Sequence, residues 1–553
     1  MFFLAQLVAP PLQPGPVRLP NKAPQERPTA PERVFDLPPE SQTQPPNETD
    51  TGTTDIWRPD IKGTTPYTDQ ELQIILKDCG KPEVNATLNA CAAALTARLI
   101  QDGYINSRVY TLSTPEPGAL EVVLGTIAEL RITSEDEALQ QQVKQQLTPL
   151  IGTVLHIPTL EKSLVKVRKR GAGQIKGGMG RLGSDPTKAV VNLSVSPALP
   201  EPLKVDISFG NNGSVGSGEW RGGAALLQKG FITRGDTALL FLELSSDGDP
   251  ELGAKTASAT YTWPIDDQWS ITGSFGYSKS RFIEFRDNAH NLSFRTLQSL
   301  LQVETVLKED DALTWTAAAA VSANRTDSFE SGHSTPAIPE AAVDDGRWSR
   351  SAFLKLSTNV SGVSGQAFWN ANAYFSQGIA GVTPDQHLDN LDSFGIEPGE
   401  ARAIGGIANL SWLLSPSTNL NLRAAGQFAF NPLPGGMTFN LGSDVGLRGL
   451  PGSLIAGDSG YLGTSELLWT AWTQNNQSFE LIPYVGIGGI HTNEPNTVFE
   501  DSIGVSGLIG RYRNGRWEVE LGWVNTFNSD DNPGLWTNWV LGHGLHTSVR
   551  YSF

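Results

Sequence analysis

The chain has 553 residues, of which 39% are hydrophobic and 18% charged, with a formal net charge of -17. That length allows more than one domain, while no run of about 18 apolar residues occurs, which excludes a transmembrane helix. The acidic balance argues against nucleic acid as a partner and fits acidic loops or an acidic lumen.

The first nine residues, Met1-Phe2-Phe3-Leu4-Ala5-Gln6-Leu7-Val8-Ala9, are apolar but lack a basic leader. They are short for a complete signal peptide and read as the remnant of an export signal that starts upstream. Residues 1–54 form a segment rich in Pro, Gln, Thr and Glu, with Pro10-Pro11, Pro38-Pro39 and Pro45-Pro46. Such a composition cannot build a core and predicts an extended, flexible or polyproline-like linker. Its prolines argue against a long helix, and only Glu32 to Leu37 is expected to make a turn or two.

Two α+β modules are expected next, over 55–126 and 127–202. In the first, Ile56 to Ile61 reads as a strand. Thr68 and Glu71 have capping-box spacing and open a helix carrying Leu72, Ile75 and Leu76. A second helix runs from about Asn85 to Asp102, with Leu88, Cys91, Ala92, Leu95 and Leu99 on one side, and stops at Gly103. Strands follow at Ser107 to Thr111 and Leu120 to Leu124. The same order repeats: strand at Ile127 to Ile132, helices at Glu137 to Leu147 and Ile157 to Arg168, strands at Gln174 to Arg181 and Ala189 to Val195. The two cysteines, Cys79 and Cys91, are a candidate disulfide if this module lies in an oxidising compartment, with two buried free thiols as the alternative. No metal site is expected from them.

From residue 203 to 553 the period changes from 3.6 to two. Ala257, Ala259, Tyr261 and Trp263 alternate with Ser258, Thr260 and Thr262. Phe479, Leu481, Pro483, Val485 and Ile487 alternate with Glu480, Ile482, Tyr484 and Gly486. Trp517, Val519, Leu521 and Trp523 alternate with Glu518, Glu520 and Gly522. The chain ends the same way, with Leu545, Thr547, Val549, Tyr551 and Phe553 on one side and His546, Ser548, Arg550 and Ser552 on the other. Strands of two chemically different faces, edged by aromatic residues, predict an all-β transmembrane barrel. About 350 residues give roughly 16 antiparallel strands at about 22 residues each. Polar stretches at Ser328 to Arg347, Thr383 to Glu400 and Asn431 to Gly460 read as long loops. His543 and His546 read as lumen or rim residues rather than a metal pair.

The third of these loops carries Gly446-Leu447-Arg448-Gly449-Leu450-Pro451-Gly452. With Asp102-Gly103-Tyr104-Ile105-Asn106-Ser107-Arg108-Val109-Tyr110 and Gly210-Asn211-Asn212-Gly213-Ser214-Val215-Gly216-Ser217-Gly218, it makes the chain resemble a known family. These are the outer-membrane transporters of two-partner secretion, the haemolysin and haemagglutinin secretion proteins, in the BamA superfamily. The resemblance implies that the two modules are POTRA domains and that loop 431–460 folds back into the barrel. Leu447, Arg448, Gly449 and Leu450 would stand at its tip in place of the family's Val-Arg-Gly-Tyr/Phe tetrad. In the family the tetrad Arg faces an Asp on the inner wall, where this chain has Gly486. A loop in a water-filled lumen needs a directional anchor, which a guanidinium forked on a carboxylate supplies. By strand parity the candidate partners of Arg448 are Glu480, Glu518 and Glu520, with Glu466 as a further candidate.

The resemblance implies an outer-membrane pore, POTRA domains in the periplasm, and a monomer embedded in outer-membrane lipids. An unfolded secreted exoprotein would be captured on an exposed POTRA edge or helix–strand groove. The alternative is a BamA-like factor assembling outer-membrane proteins, although two POTRA modules are few for that role. A diffusion porin needs no such modules. No Ser/His/Asp arrangement has a recognisable spacing, so no enzyme and no cofactor are expected.

Overall fold

The computed structural model describes Val34 and Phe35 and then residues 59–553. It omits 78, 80–83, 115–117, 170–171, 198–202, 214–217, 234, 247–251, 267, 282–291, 311, 337–340, 342–348, 453–454, 494–498 and 528–543. The export-signal remnant, nearly all of the Pro-rich segment, Ile56 and His543 therefore lie outside the described residues. The chain divides into two units, one of residues 29–200 and one holding 201–553.

The first unit contains two modules of one topology. In the first, strand β1 (Asp60–Gly63), helices α1 (Asp69–Ile75) and α2 (Val84–Gln101), and strands β2 (Arg108–Leu112) and β3 (Ala119–Val123) build a sheet ordered β1-β3-β2. β1 runs parallel to β3 and β2 antiparallel to it. The second repeats this with β4 (Thr126–Thr133), α3 (Glu137–Leu147), α4 (Ile157–Lys169), β5 (Ala172–Leu182) and β6 (Asp185–Pro197), ordered β4-β6-β5.

Thr68 and Glu71 do form a capping box, satisfying two amides at the start of α1. The Thr68 amide and then its hydroxyl, both donated to the Glu71 carboxylate, hold that carboxyl below its usual range. Leu72, Leu88, Leu95 and Leu99 bury the helix faces against Leu120 and Val122. In the second module Leu139, Val143, Leu147, Leu160 and Leu164 do the same against Val191 and Leu193.

The two modules are bonded to each other. Asn106 Nδ2 donates to the Thr187 carbonyl at 2.9 Å, the Ile157 amide donates to the Gly103 carbonyl at 3.0 Å, and the His156 ring stacks on Tyr104 with centroids 4.6 Å apart. Beside this joint the Tyr67 hydroxyl donates to Asp102 at 2.8 Å. Burial and then that carboxylate push the Tyr67 phenol above its ordinary value.

Cys79 and Cys91 are bonded in this structure, with Cα atoms 4.9 Å apart and a sequence separation of 12. Closing so short a loop should stabilise the module by about 3 kcal/mol. Reductant, or the pair Cys79→Ser and Cys91→Ser, should therefore lower its unfolding transition in calorimetry of the full chain. An unmoved transition would refute the stabilising role.

The second unit is a closed antiparallel barrel. Sixteen strands span it, and the two-residue strand His333–Ser334 is added at one rim. They are β7 (Lys204–Gly210), β8 (Trp220–Lys229), β9 (Thr237–Ser246), β10 (Leu252–Pro264), β11 (Trp269–Arg281), β12 (Leu292–Glu309), β13 (Leu313–Glu330), β14 (Ser351–Ser364), β15 (Ala367–Gly378), β16 (Arg402–Ser415), β17 (Thr418–Ala429), β18 (Ser459–Gln474), β19 (Gln477–Thr492), β20 (Phe499–Asn514), β21 (Trp517–Phe527) and β22 (Leu545–Ser552).

Period-two alternation puts the apolar rows outside. Trp263, Trp269, Trp315, Trp412, Trp469 and Trp517 are exposed beside short turns, and Phe428, Phe430, Tyr461 and Phe527 beside the long loops at the other end. Two aromatic girdles with an apolar band between them, and short turns opposite long loops, are what a bilayer demands of a barrel. The polar stretch at Thr383 to Glu400, expected as loop, contains a helix, α5 (Asp385–Asp392), which buries His387 and Leu391.

Closure joins β22 to β7 through the pairs from Ser548↔Gly210 to Ser552↔Asp206. This ladder is short, and side chains extend it. Asn211 Nδ2 donates to the Leu545 carbonyl at 2.5 Å while the Thr547 amide donates to Asn211 Oδ1 at 2.8 Å. The Ser552 hydroxyl donates to Asp206 at the other end.

Candidate functional site

The segment between β17 and β18 does not stay outside. Phe439–Leu441 pairs with Ile455–Gly457 as a small antiparallel ribbon, and a 3-10 turn, Ser443–Val445, leads to the tip. Leu441, Leu447 and Leu450 are fully buried in one apolar cluster with Ile482, Tyr484, Val505, Ile509 and Val524. Those wall residues occupy the inward rows of β19, β20 and β21, so the loop lies in the lumen on an apolar bed. Fully burying two leucines contributes roughly 3–6 kcal/mol to that seating.

Two glycines make the tip possible. Gly449 has φ +80°, a backbone region that side chains with a Cβ avoid, and a Cβ there would also lie 2.8 Å from Val524. Gly446, at φ +121°, turns the chain just before Leu447.

Arg448 is the polar anchor. Its Nε donates to Glu466 Oε1 at 2.7 Å and its Nη1 to Glu520 Oε2 at 2.9 Å. The guanidinium side chain is 12% exposed and that of Glu520 only 7%, so this fork is formed largely away from water. The Arg448 amide donates to Tyr484 Oη at 3.1 Å, and the same hydroxyl donates to the Gly446 carbonyl at 2.8 Å. Tyr484 thus grips the tip backbone on both sides of Leu447.

Of the four candidate acids, the structure brings Glu466 and Glu520 to Arg448. Glu480 and Glu518 are not its partners. Glu480 accepts from Arg511 at 3.2 Å and Arg513 at 2.8 Å, and Glu518 from Arg513 at 2.9 Å, with Arg550 3.6 Å away. The reason is register: Glu480 lies opposite Arg511 on the adjacent strand, and Glu518 opposite Arg513 and Arg550 on its two neighbours. Glu520 links the two groups, because it also accepts from Arg511 at 2.6 Å and lies 3.3 Å from His546 Nε2.

Gly486 faces inward, and its lack of a side chain is a steric requirement here. A Cβ at this position would lie 2.5 Å from Tyr484 Oη and 2.9 Å from Leu447 Cδ2. The space an inner-wall Asp would fill is taken by the Tyr484 hydroxyl and the loop-tip leucine.

A second anchor escaped the sequence reading. Asp444 accepts from Arg221 Nη1 at 2.7 Å, and Arg221 lies 3.4 Å from Glu243. All three side chains are 10–12% exposed. Arg221 and Glu243 belong to β8 and β9, whereas Glu466 and Glu520 belong to β18 and β21. The Gly452 amide also donates to the Gly213 carbonyl at 2.7 Å. An inward-facing Arg on β8 diagonal to an acid on β9 was the available signal, but no local spacing ties it to residue 444. At the loop's base, Asp458 accepts from the Leu433 amide at 2.8 Å and the Asn493 amide at 2.6 Å.

The arrangement is a folded loop held inside the barrel by ion pairs at two points. The fold is shared with known outer-membrane proteins. CdiB from Escherichia coli is similar with a TM-score of 0.67, at 16% identity over 93% of both chains. CdiB from Acinetobacter baumannii is similar at 0.58, with 15% identity over 94% of this chain and 95% of that one. BamA from Haemophilus ducreyi lacking POTRA domains 1-3 is similar at 0.52, with 12% identity over 90% of this chain and 100% of that one. Among curated proteins nothing matches by sequence. A family model described as haemolysin secretion/activation protein ShlB/FhaC/HecB matches residues 188–508, more than half of the sequence. The chain therefore belongs to the ShlB/FhaC/HecB family of haemolysin secretion/activation proteins.

Proposed function

We propose that this protein is the outer-membrane pore that translocates a secreted exoprotein, taken up unfolded by the two α+β modules acting as periplasmic POTRA domains. The barrel lumen is the path, and loop 431–458 is a partition that yields when the exoprotein enters. The observation that carries this reading is the inward loop. A passive porin has no need of a plug pinned by Arg448 to Glu466 and Glu520, whereas a conduit for an extended chain must be closed to small solutes between passages. The chain enters and leaves the barrel at its short-turn end, which suits modules facing the periplasm. The protein works as a monomer in outer-membrane lipids, since its own sixteen strands close the wall.

Deleting residues 60–200 should abolish export of the exoprotein while leaving a heat-modifiable barrel in the outer membrane. Undiminished export by that variant would refute capture by the modules. Depletion of the protein separates the assembly-factor alternative: loss of one secreted protein supports the export pore, and loss of many outer-membrane proteins supports an assembly factor.

A further inference from the structure

Val34 and Phe35 are the described residues of the segment expected to be linker, and they are docked on the second module. Phe35 is 8% exposed and belongs to that module's buried apolar cluster, with Val34 packed against the same cluster. Both backbone amides donate to one carboxylate oxygen, Glu161 Oε1, at 2.8 and 2.7 Å. Glu161 is on α4. The far side of the seat is Gly177 on β5, where a Cβ would lie 2.4 Å from Phe35 Cζ and 2.7 Å from Val34 Cγ1. Among the described residues β5 pairs only with β6, so it forms an edge of its sheet. The seat is therefore a cleft between a helix and an edge strand, with an acidic grip for two successive amides and an aromatic slot left open by a glycine. An edge strand beside a helix is a standard acceptor for a peptide, and the resident pair lies there as a bend.

We propose that this α4–β5 cleft is a recognition site for a bent segment presenting a β-branched residue followed by an aromatic one, and that Val34–Phe35 is a built-in competitor occupying it at rest. The inference rests on the reading of the modules as capture domains and adds what the second one accepts and what holds it closed. Nothing in the contact is specific to residues 34 and 35 as part of this chain. Glu161 recognises two successive amides turned to the same side, which any peptide bent in this way presents, and the slot recognises a ring. A segment of the exoprotein with the same two side chains would displace the resident pair, and the local concentration of that pair raises the affinity the incoming segment must have.

The test uses the full-length protein in detergent and a fluorescent peptide copying residues 31–38 of this chain. Phe35→Ala empties the slot, so anisotropy should show the peptide binding at least about tenfold more tightly than to wild type. Adding Glu161→Gln or Gly177→Val to Phe35→Ala should remove that gain, the first by weakening the amide grip and the second by filling the slot. As a check independent of the integrity of the emptied module, hydrogen exchange in the wild type should show the Val34 and Phe35 amides protected, and Glu161→Gln should release them. Equal peptide binding by wild type and Phe35→Ala, or unprotected amides in the wild type, would overturn the proposal. Neither readout involves export, so failure here is distinct from failure of the pore reading, which the 60–200 deletion decides.

Discussion

Arg448→Ala is expected to free the inward loop and leave the pore leaky. The guanidinium holds two carboxylates in a largely buried fork; without it Glu466 loses its bond to the loop tip, while Glu520 keeps Arg511. Losing two charge-assisted hydrogen bonds costs about 3–5 kcal/mol, enough to move a closed–open loop equilibrium by roughly two to four orders of magnitude. The acids should rank unequally. Glu466→Gln leaves Arg448 with Glu520, whereas Glu520→Gln also removes a partner of Arg511 and the neighbour of His546, so the second should be the more damaging. Single-channel recording in planar bilayers measures this directly, as frequent large openings in Arg448→Ala and rarer ones in Glu466→Gln. A variant at Arg448 that stays as quiet as the wild type would sink the anchor role.

Gly486→Asp should damage the site, although it restores the residue the family usually carries there. The new Cβ would stand 2.5 Å from Tyr484 Oη and 2.9 Å from Leu447. That hydroxyl cannot step aside without giving up the Gly446 carbonyl and the Arg448 amide. Overpacking costs about 1–3 kcal/mol, and the two lost hydrogen bonds add roughly 1 kcal/mol each. Unseating of the tip should appear as protease cleavage within loop 431–458 of purified protein that resists it in the wild type. Tyr484→Ala in the same chain vacates the space and should recover part of the resistance, because the aspartate can then face Arg448. Wild-type resistance in Gly486→Asp alone would mean that the tip does not depend on the vacancy at 486.

What the sequence discloses here depends on whether the information is local. Capping at Thr68 and Glu71, the 3.6 period over Leu88 to Leu99 and the period of two from residue 203 onward are all properties of neighbours in the chain, and they yield both modules and the barrel. Parity likewise says which acids face the lumen. It does not say which side chains share a row across strands, and that register sets Glu480 and Glu518 beside Arg511 and Arg513 while the loop's Arg448 meets Glu466 and Glu520. Register is set by turns and strand tilt around the barrel, which a single strand does not carry. The apolar bed for the loop was partly visible, since Ile482 and Tyr484 stand on a row expected to be polar. α5 was hidden because eight residues with two buried positions make too short a periodic signal. The pair Arg221 and Asp444, more than 200 residues apart, is beyond any local reading.

That pair has a mechanical meaning. Asp444 is bound to β8, the second strand, and four residues later Arg448 is bound to β21, the last but one. Between those strands lies the short β22–β7 joint. The loop is thus a tie beam across the weakest line of the barrel wall, carrying tension from one side to the other. Loosening the beam slackens the joint, and by thermodynamic reciprocity any force that parts the joint also loosens the beam by the same free energy. Seating the loop in the lumen and bracing the wall are then one act, performed by five residues of a single turn.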